Sequence, residues 1–362
     1  MDKIIGIDVY SALHYPRGMG IYTINIVNEL AKIDKETPYI LYADVDDTDN
    51  VLPKQDNFVF KKLNAKGFFH YEQFVLPRQA KKDKISLLHS PANTSPIFLD
   101  KSIKRVLTQH DIIFLKKEIP LPNKKQFLGR LYYVLNAFLN LQRSEIIFTV
   151  SEYSKKDISN YFNIDEQKFV IAHNGHEHFN FEKASSLKEL QDKYKIPDEY
   201  FFTLGGEAPS KNTEILLKIF SKHQEINLVA AGIKKLENSV LYLKYKSFPN
   251  ITFVPYITQA DIAGLYKNAK AFIFPSVYEG FGIPIIEAQK CHCPLFCSDA
   301  ACLPEIAGDG AVYFNPKNED DILAKIKNTG TDHLNLSQYK KYSWKTSAEI
   351  IHKNYTEIMK QF

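Results

Sequence analysis

Short apolar runs alternate with amphipathic stretches along the whole chain. It opens with IIGIDV, continues through the glycine-containing loop YPRGMG, and enters IYTINIVNELAKI, whose apolar positions recur at helical spacing. This reads as strand, loop, helix. Further apolar runs followed by loops and amphipathic stretches recur at YILYA, ISLLHS, RVLTQHD, EIIFTVS and KFVIAHN. Such alternation predicts a mostly parallel sheet covered by helices on both faces. In open sheets of this kind ligands sit beyond the carboxyl ends of strands, where His89, His110, Ser151 and Asn174 fall. After the polar, helix-prone stretch FEKASSLKELQDKYKIPDEY a second series begins, with strands at FFTLGG, INLVAAG, ITFVPY, AFIFPS, PLFCS and AVYFN. The pattern therefore predicts two α/β domains of the same type, meeting near residues 175–185. The final segment, SWKTSAEIIHKNYTEIMKQF, is helical by spacing, with Ile350, Tyr355 and Met359 on one stripe and Trp344 at its start.

With 362 residues, 44% of them hydrophobic, the chain can fill two separate cores. A formal net charge of +4 does not suggest a dedicated nucleic-acid-binding protein, and all of that excess lies in residues 1–175. There the positives come in pairs, Lys61-Lys62, Lys81-Lys82, Lys116-Lys117 and Lys124-Lys125, with Arg105 and Arg130 nearby. Solvated surface is the first reading. Contact with anionic lipid headgroups or an acidic acceptor is the second, at roughly 1 kcal/mol per basic residue near such a surface. The N-terminus carries no leader pattern and no run reaches the 18 or so apolar residues that span a bilayer. The expectation is a cytoplasmic protein, free or at the inner face of the cytoplasmic membrane. Cys291, Cys293, Cys297 and Cys302 cluster around His292, which raises a zinc site. No C-x2-C pair or second ligand pair accompanies them, and CPLFCSDAA reads equally as a short buried strand.

The chemistry concentrates in YEGFGIPIIEAQKCHCP, after the strand AFIFPS. Pro284 suits a first helical turn. A helix starting there aims the backbone N–H groups around Gly280, Phe281, Gly282 and Ile283 at the loop, with the positive end of the helix dipole behind them, a site suited to a diphosphate. Glu287, about one turn into the helix, is placed to accept two hydroxyls of a ribose. Glu279, across the loop, is placed to accept hydroxyls of a second sugar ring.

The spacing Glu279-x7-Glu287 around GFGIP, preceded by DIAGLYKNAKAF and followed by SDAACLPEIAGDGAVYFNP, resembles the signature of the retaining nucleotide-sugar glycosyltransferases of family 4. That resemblance implies the GT-B fold, an α/β architecture of two Rossmann-like doubly wound domains with a cleft between them. It implies an acceptor-binding domain over residues 1–178, a nucleotide-sugar-binding domain over 179–342, and a final helix, 343–362, crossing back to the first domain. Lys211, six residues after Gly205 in FFTLGGEAPSKN, matches the family lysine that neutralises the donor diphosphate. The arginine that many relatives carry beside it is absent, since Gly206 and Ser210 stand there. His110 matches a histidine facing the transferred sugar, and Asp111 after it reads as a cap. RGMGIY matches the glycine-rich loop after the first strand, where Gly18 and Gly20 let backbone approach phosphate or acceptor. Ser151 reads as a helix cap, Glu305 as an anchor of the loop near the nucleotide, and Trp344 as core packing. His292 stands where relatives usually have glycine, and a bulky side chain there is expected to narrow the nucleotide pocket.

The family's reaction moves a sugar from a nucleoside diphosphate to an acceptor hydroxyl with retention. Same-face attack, in which the diphosphate accepts the acceptor's proton, fits a chain with no nucleophile other than Glu279 on offer. Lys211 and the helix terminus would stabilise the leaving group. Asp44, Asp46 and Asp47 read as a polar loop rather than a D-x-D metal motif, so no cofactor and no metal are expected. The expected partners are a nucleotide-sugar donor and a glycan or lipid-linked acceptor, with a hexose such as mannose in surface-polysaccharide synthesis. A catalytically silent sugar-nucleotide-binding subunit, an epimerase or phosphorylase on the same fold, and a dinucleotide site at G-x-G-x-x-T are the competing readings.

Overall fold

The computed structural model describes residues 3–15, 17–116, 124–233, 235–255, 257–328 and 330–361, the side chains of residues 124–126 excepted. Lys117 and the side chains of Lys124 and Lys125, three of the paired lysines, therefore lie outside the described residues. The chain forms two compact units, one comprising Met1–Gly175 and Tyr342–Phe362, the other His176–Lys341. Both are parallel-sheet, Rossmann-like α/β domains.

In the first unit the strands are β1 (Ile5–Asp8), β2 (Tyr39–Ala43), β3 (Phe58–Lys62), β4 (Leu87–Ser90), β5 (Lys104–Thr108), β6 (Ile146–Thr149) and β7 (Phe169–Ile171). They lie in the order β3-β2-β1-β4-β5-β6-β7, all parallel, with Ile5 flanked by Tyr39 and Leu87. Strand order reverses between β1 and β4. All four residues of β1 and of β4 are buried, as continuous apolar runs covered on both faces must be. β3 is the strand that apolar runs did not reveal. Of FVFKK only Phe58 is fully buried, and Lys61 and Lys62 pair with Asp83 and Asp46 at the edge of the sheet.

The helix Met19–Ile33 buries Tyr22, Ile26, Val27 and Leu30, one stripe at helical spacing. Against it packs the last helix, Trp344–Met359, whose start is capped by Ser343 accepting from the Thr346 N–H. Its buried stripe runs through Trp344, Ala348, Ile351, Tyr355 and Met359, so Ile351 rather than the half-buried Ile350 faces inward. The Trp344 ring meets Tyr22 edge-on at 5.9 Å. Side chains of this size contribute about 1.5–3 kcal/mol each when fully buried.

The second unit repeats the strand order. Its strands are β8 (Phe201–Leu204), β9 (Leu228–Ala231), β10 (Ile251–Val254), β11 (Ala271–Phe274), β12 (Leu295–Ser298) and β13 (Val312–Phe314), ordered β10-β9-β8-β11-β12-β13. Here the reversal lies between β8 and β11. Cys297 belongs to β12, and all four cysteines are buried free thiols. Burial is the main cause that pushes the Cys291 thiol up to about 12 and the Cys293 thiol higher still. No helix among the described residues is long and apolar enough to cross a membrane.

Candidate active site

In the second unit the loops after β8 and β11 flank the point of strand reversal, so their residues meet. β8 leads into Gly205-Gly206, where Thr213 donates to the Gly206 carbonyl at 3.0 Å. A Cβ on Gly205 would stand 2.3 Å from the Thr213 hydroxyl, and one on Gly232, whose φ is +102°, only 2.0 Å from the Gly205 carbonyl. Neither position tolerates a side chain. Asn212, in the left-handed region, donates to the carbonyls of Pro275 at 3.2 Å and Pro316 at 2.8 Å, and the Val277 N–H donates to the Ser210 carbonyl at 2.8 Å. These bonds stitch the lysine-bearing turn Pro209–Lys211 to the loop that carries Glu279. The Lys211 ammonium consequently lies 2.6 Å from Glu279 Oε1 and 5.6 Å from the centre of the Phe274 ring. The lysine stays about a third exposed, the carboxylate less so.

Three residues after Glu279, Gly282 (φ +87°) caps the helix Ile283–Lys290, with Pro284 in its first turn and the Ile285 N–H returning to the Gly282 carbonyl at 2.9 Å. A Cβ at Gly282 would meet Leu303 at 3.0 Å. Phe281 is buried. Lys211, Glu279 and this helix start thus share one corner of the unit.

Glu287 lies deeper, 8% exposed. Its Oε1 is 3.3 Å from His178 Nε2, and the Tyr266 hydroxyl donates to its Oε2 at 3.4 Å. Lys290, one turn on, donates to the carbonyls of His176 and Phe179 at 3.0 and 2.7 Å and so holds His178 against the helix. His178 and Tyr266 escaped sequence reasoning. His178 is 109 positions from Glu287, and the three histidines of HNGHEHF are the only sequence signal near it. One expectation is overturned. His292 does adopt the left-handed backbone that favours glycine (φ +55°), but its side chain is exposed at the C-terminal end of the Ile283–Lys290 helix, the end remote from Gly282. It fills no pocket there.

The remaining sequence-derived positions belong to the first unit. Gly18 (φ +52°) caps the helix Met19–Ile33, and a Cβ on Gly20 would overlap the Tyr15 carbonyl at 1.9 Å, so the glycine loop folds tightly onto that helix. His110 follows β5 and is buried, its ring edge-on to Tyr22 at 4.7 Å. Its Nε2 lies 2.8 Å from the Pro91 carbonyl; a carbonyl only accepts, so Nε2 carries the proton and Nδ1 is the acceptor. Burial holds its pKa down to about 4 against that hydrogen bond, leaving the ring neutral at pH 7. Asp111 accepts from the Ile113 N–H at 3.0 Å and Ser151 from the Ser154 N–H at 3.1 Å, the two caps read from sequence.

None of the three buried carboxylates described in this unit, Asp8, Asp34 and Glu72, was anticipated. Asp8, the last residue of β1, accepts from the Tyr10 N–H at 3.0 Å and the Tyr71 hydroxyl at 2.8 Å, and burial still pushes its pKa up to about 6. Glu72 lies in the π-helical stretch Tyr71–Val75 and accepts from the Thr94 and Tyr132 hydroxyls and the Gln73 amide. Burial pushes it up to about 7. An isolated acidic residue in a mixed segment such as HYEQFVL gives no sign of burial.

A family model described as glycosyl transferases group 1 matches residues 187–345, and a second, glycosyltransferase family 4, matches residues 16–178. The serotype-specific mannosyltransferase WbdA of Escherichia coli is 26% identical over 382 residues, covering 94% of this chain and 44% of its own, so the chain spans less than half the length of that relative. The O-antigen chain mannosyltransferase B of Escherichia coli is 26% identical over 367 residues, covering 92% of this chain and 94% of its own. Among solved structures, the sucrose-phosphate synthase of Thermosynechococcus elongatus shares the fold with a TM-score of 0.75 at 14% identity, over 99% of this chain and 100% of that one.

Proposed function

The chain belongs to the family 4 glycosyltransferases of group 1, and from that premise we propose that it moves a hexose, with mannose favoured, from a nucleoside diphosphate to a growing glycan or lipid-linked acceptor of a surface polysaccharide, with retention at the anomeric carbon. The mannosyl donor and the O-antigen setting are suggested by the two Escherichia coli relatives. The observation that carries the reading is the Lys211–Glu279 pair, 2.6 Å apart beside the helix start at Gly282.

In the apo pair each charge cancels the other. An arriving diphosphate competes for the lysine, so Lys211 and the dipole of the Ile283–Lys290 helix hold the leaving group while Glu279 is released to accept hydroxyls of the donor sugar. Charge then grows on the diphosphate as the glycosidic bond breaks, and donors fixed in advance lower that barrier most. The side-chain-free loop at Gly205 and Gly206 lets the nucleotide approach the backbone. Glu287 binds the ribose: its contacts to His178 and Tyr266 use two of about four lone-pair positions, leaving acceptor capacity. The diphosphate oxygen takes the acceptor's proton, and catalysis proceeds without a metal.

The test incubates the protein with GDP-mannose and with UDP-glucose, measures nucleoside diphosphate release with and without EDTA, and assigns the anomeric configuration of the product by NMR. Release from one donor, unaffected by EDTA, with retained configuration is expected. Glu287→Ala should weaken nucleotide binding, while Glu279→Ala should lower turnover with nucleotide still bound. Absence of any thermal stabilisation by either GDP or UDP overturns the reading.

A further inference from the structure

A buried carboxylate needs donors for its lone pairs, and among the described residues Glu287 has one on each oxygen: the Tyr266 hydroxyl on Oε2 at 3.4 Å and His178 Nε2 on Oε1 at 3.3 Å. A carboxylate only accepts, so Nε2 carries the proton there.

Tyr266 lies on the helix Gln259–Asn268 and is fully buried. The rings of Phe179, Phe202 and Phe272 meet its own edge-on, at 6.1, 5.1 and 4.9 Å. Rings packed in this way fix one another's orientation. The hydroxyl thus has one direction open to it, and Glu287 is its only hydrogen-bond partner among the described residues. Burial first, and the neighbouring Glu287 after it, hold the phenol's pKa well above its ordinary value of 10.0, so it remains a donor. A hydroxyl buried among three phenylalanines costs desolvation that a fourth phenylalanine would avoid. Packing therefore accounts for the ring but not for the hydroxyl. Its acceptor does.

His178 reaches the other oxygen from a different segment, with its side chain 7% exposed. The bonds from Lys290 to the carbonyls of His176 and Phe179 fasten the chain on both sides of it. Phe179 is shared, since it is both fastened by Lys290 and part of the cage around Tyr266. A carboxylate held by both oxygens cannot turn to follow a ligand, yet each oxygen keeps acceptor capacity. Two acceptors on one rigid group match two adjacent hydroxyls of one ring. A ligand lacking one of them leaves a buried acceptor unpaired, a loss that a freely turning carboxylate would evade.

We propose that Tyr266 and His178 are positioning residues that fix Glu287 for a vicinal diol and so make the site selective for ribonucleotides over 2′-deoxyribonucleotides. The proposal rests on the reading that Glu287 binds the ribose.

Calorimetric titration with GDP, UDP and their 2′-deoxy counterparts tests it. With whichever base binds, the wild type is expected to prefer the ribonucleotide roughly tenfold or more, the worth of one hydrogen bond to a charged group. Tyr266→Phe should remove most of that preference by weakening the ribonucleotide alone, and should raise KM for the donor while kcat changes less than about twofold. In a Glu287→Ala background the same substitution should have no further effect on affinity. His178→Ala tests the other oxygen without touching the aromatic cage: the same selective loss is expected, and His178→Gln, whose amide nitrogen reaches the place of Nε2, should restore it. A preference retained in full by Tyr266→Phe and His178→Ala, or an equal loss for both nucleotides, overturns the positioning roles and leaves the ribose reading intact. A wild type that binds both nucleotides equally overturns the ribose reading of Glu287 and this proposal with it.

Discussion

The two units share one strand order, yet the shielded acids of the second face cationic or imidazole partners, whereas of the three buried acids described in the first only Asp34, beside His352, does so. In the second, Glu279 faces the Lys211 ammonium, Glu287 faces His178, and Asp261 faces Lys193. In the first, Asp8 and Glu72 are satisfied mainly by hydroxyl, amide and backbone donors, and burial raises both. Strand order therefore does not dictate electrostatics. A carboxylate beside a mobile cation keeps its charge and can exchange that partner for a ligand. One walled in by neutral donors is fixed in place and gives up its charge near neutral pH.

The comparison breaks most visibly at Lys211. If its role is electrostatic and ligand-directed, Lys211→Ala should lower kcat by about 10²–10³-fold, the range seen when one preorganised donor to a developing oxyanion is removed. Steady-state turnover with saturating donor measures it, and a loss below about fivefold would reduce the pair to surface chemistry.

Glu72 sharpens the other side. Folded, it keeps its proton up to about pH 7; its ordinary value is 4.5. Its burial therefore costs nothing below about pH 4.5 and destabilises the fold progressively as pH rises to about 7. Relative to wild type, Glu72→Gln should gain roughly 3 kcal/mol between those limits and then level off. Urea titrations at stepped pH give the difference, and a pH-independent one would mean that Glu72 is charged in the fold. His89 and His110, held low by burial, act with the opposite sign: acidification below about 6.5 destabilises the fold through them. Only the variant-minus-wild-type difference isolates the carboxylate.

The smallest effect concerns backbone. Gly282→Ala combines a φ of +87° with a 3.0 Å contact to Leu303, and should cost about 1–2 kcal/mol in thermal or urea unfolding while weakening nucleotide binding more than it slows turnover. A stabilised variant would show that the helix start is soft.

Apolar runs made the alternating architecture legible because a parallel sheet buried on both faces leaves uninterrupted strands such as AFIFPS. FVFKK escaped because an edge strand needs only one buried residue. Helical spacing located the last helix but missed its face by one residue, choosing Ile350 over Ile351, since both are apolar and adjacent. In the candidate site, Lys211, Glu279 and Gly282 were readable because they fall in short motifs. Their mutual contact was not, because Lys211 and Glu279 lie 68 positions apart and are joined only by the bonds between two loops. His178 and Tyr266 were invisible for the same reason. The buried acids of the first unit illustrate a further blindness: burial of a polar residue is decided by tertiary packing, whereas periodicity reports only where apolar residues recur.

The discontinuity of the first unit has a consequence for biosynthesis. Tyr342–Phe362 belongs to it, yet these residues leave the ribosome only after all of His176–Lys341 has been made. At about 5–20 residues per second that delay is on the order of ten to thirty seconds. Throughout it, the nascent chain shows Tyr22 without Trp344 and His89 without its Tyr355 partner. The apolar side of the helix Met19–Ile33 is thus the place where a chaperone would be needed during translation, and where premature termination before Trp344 would leave a sticky product.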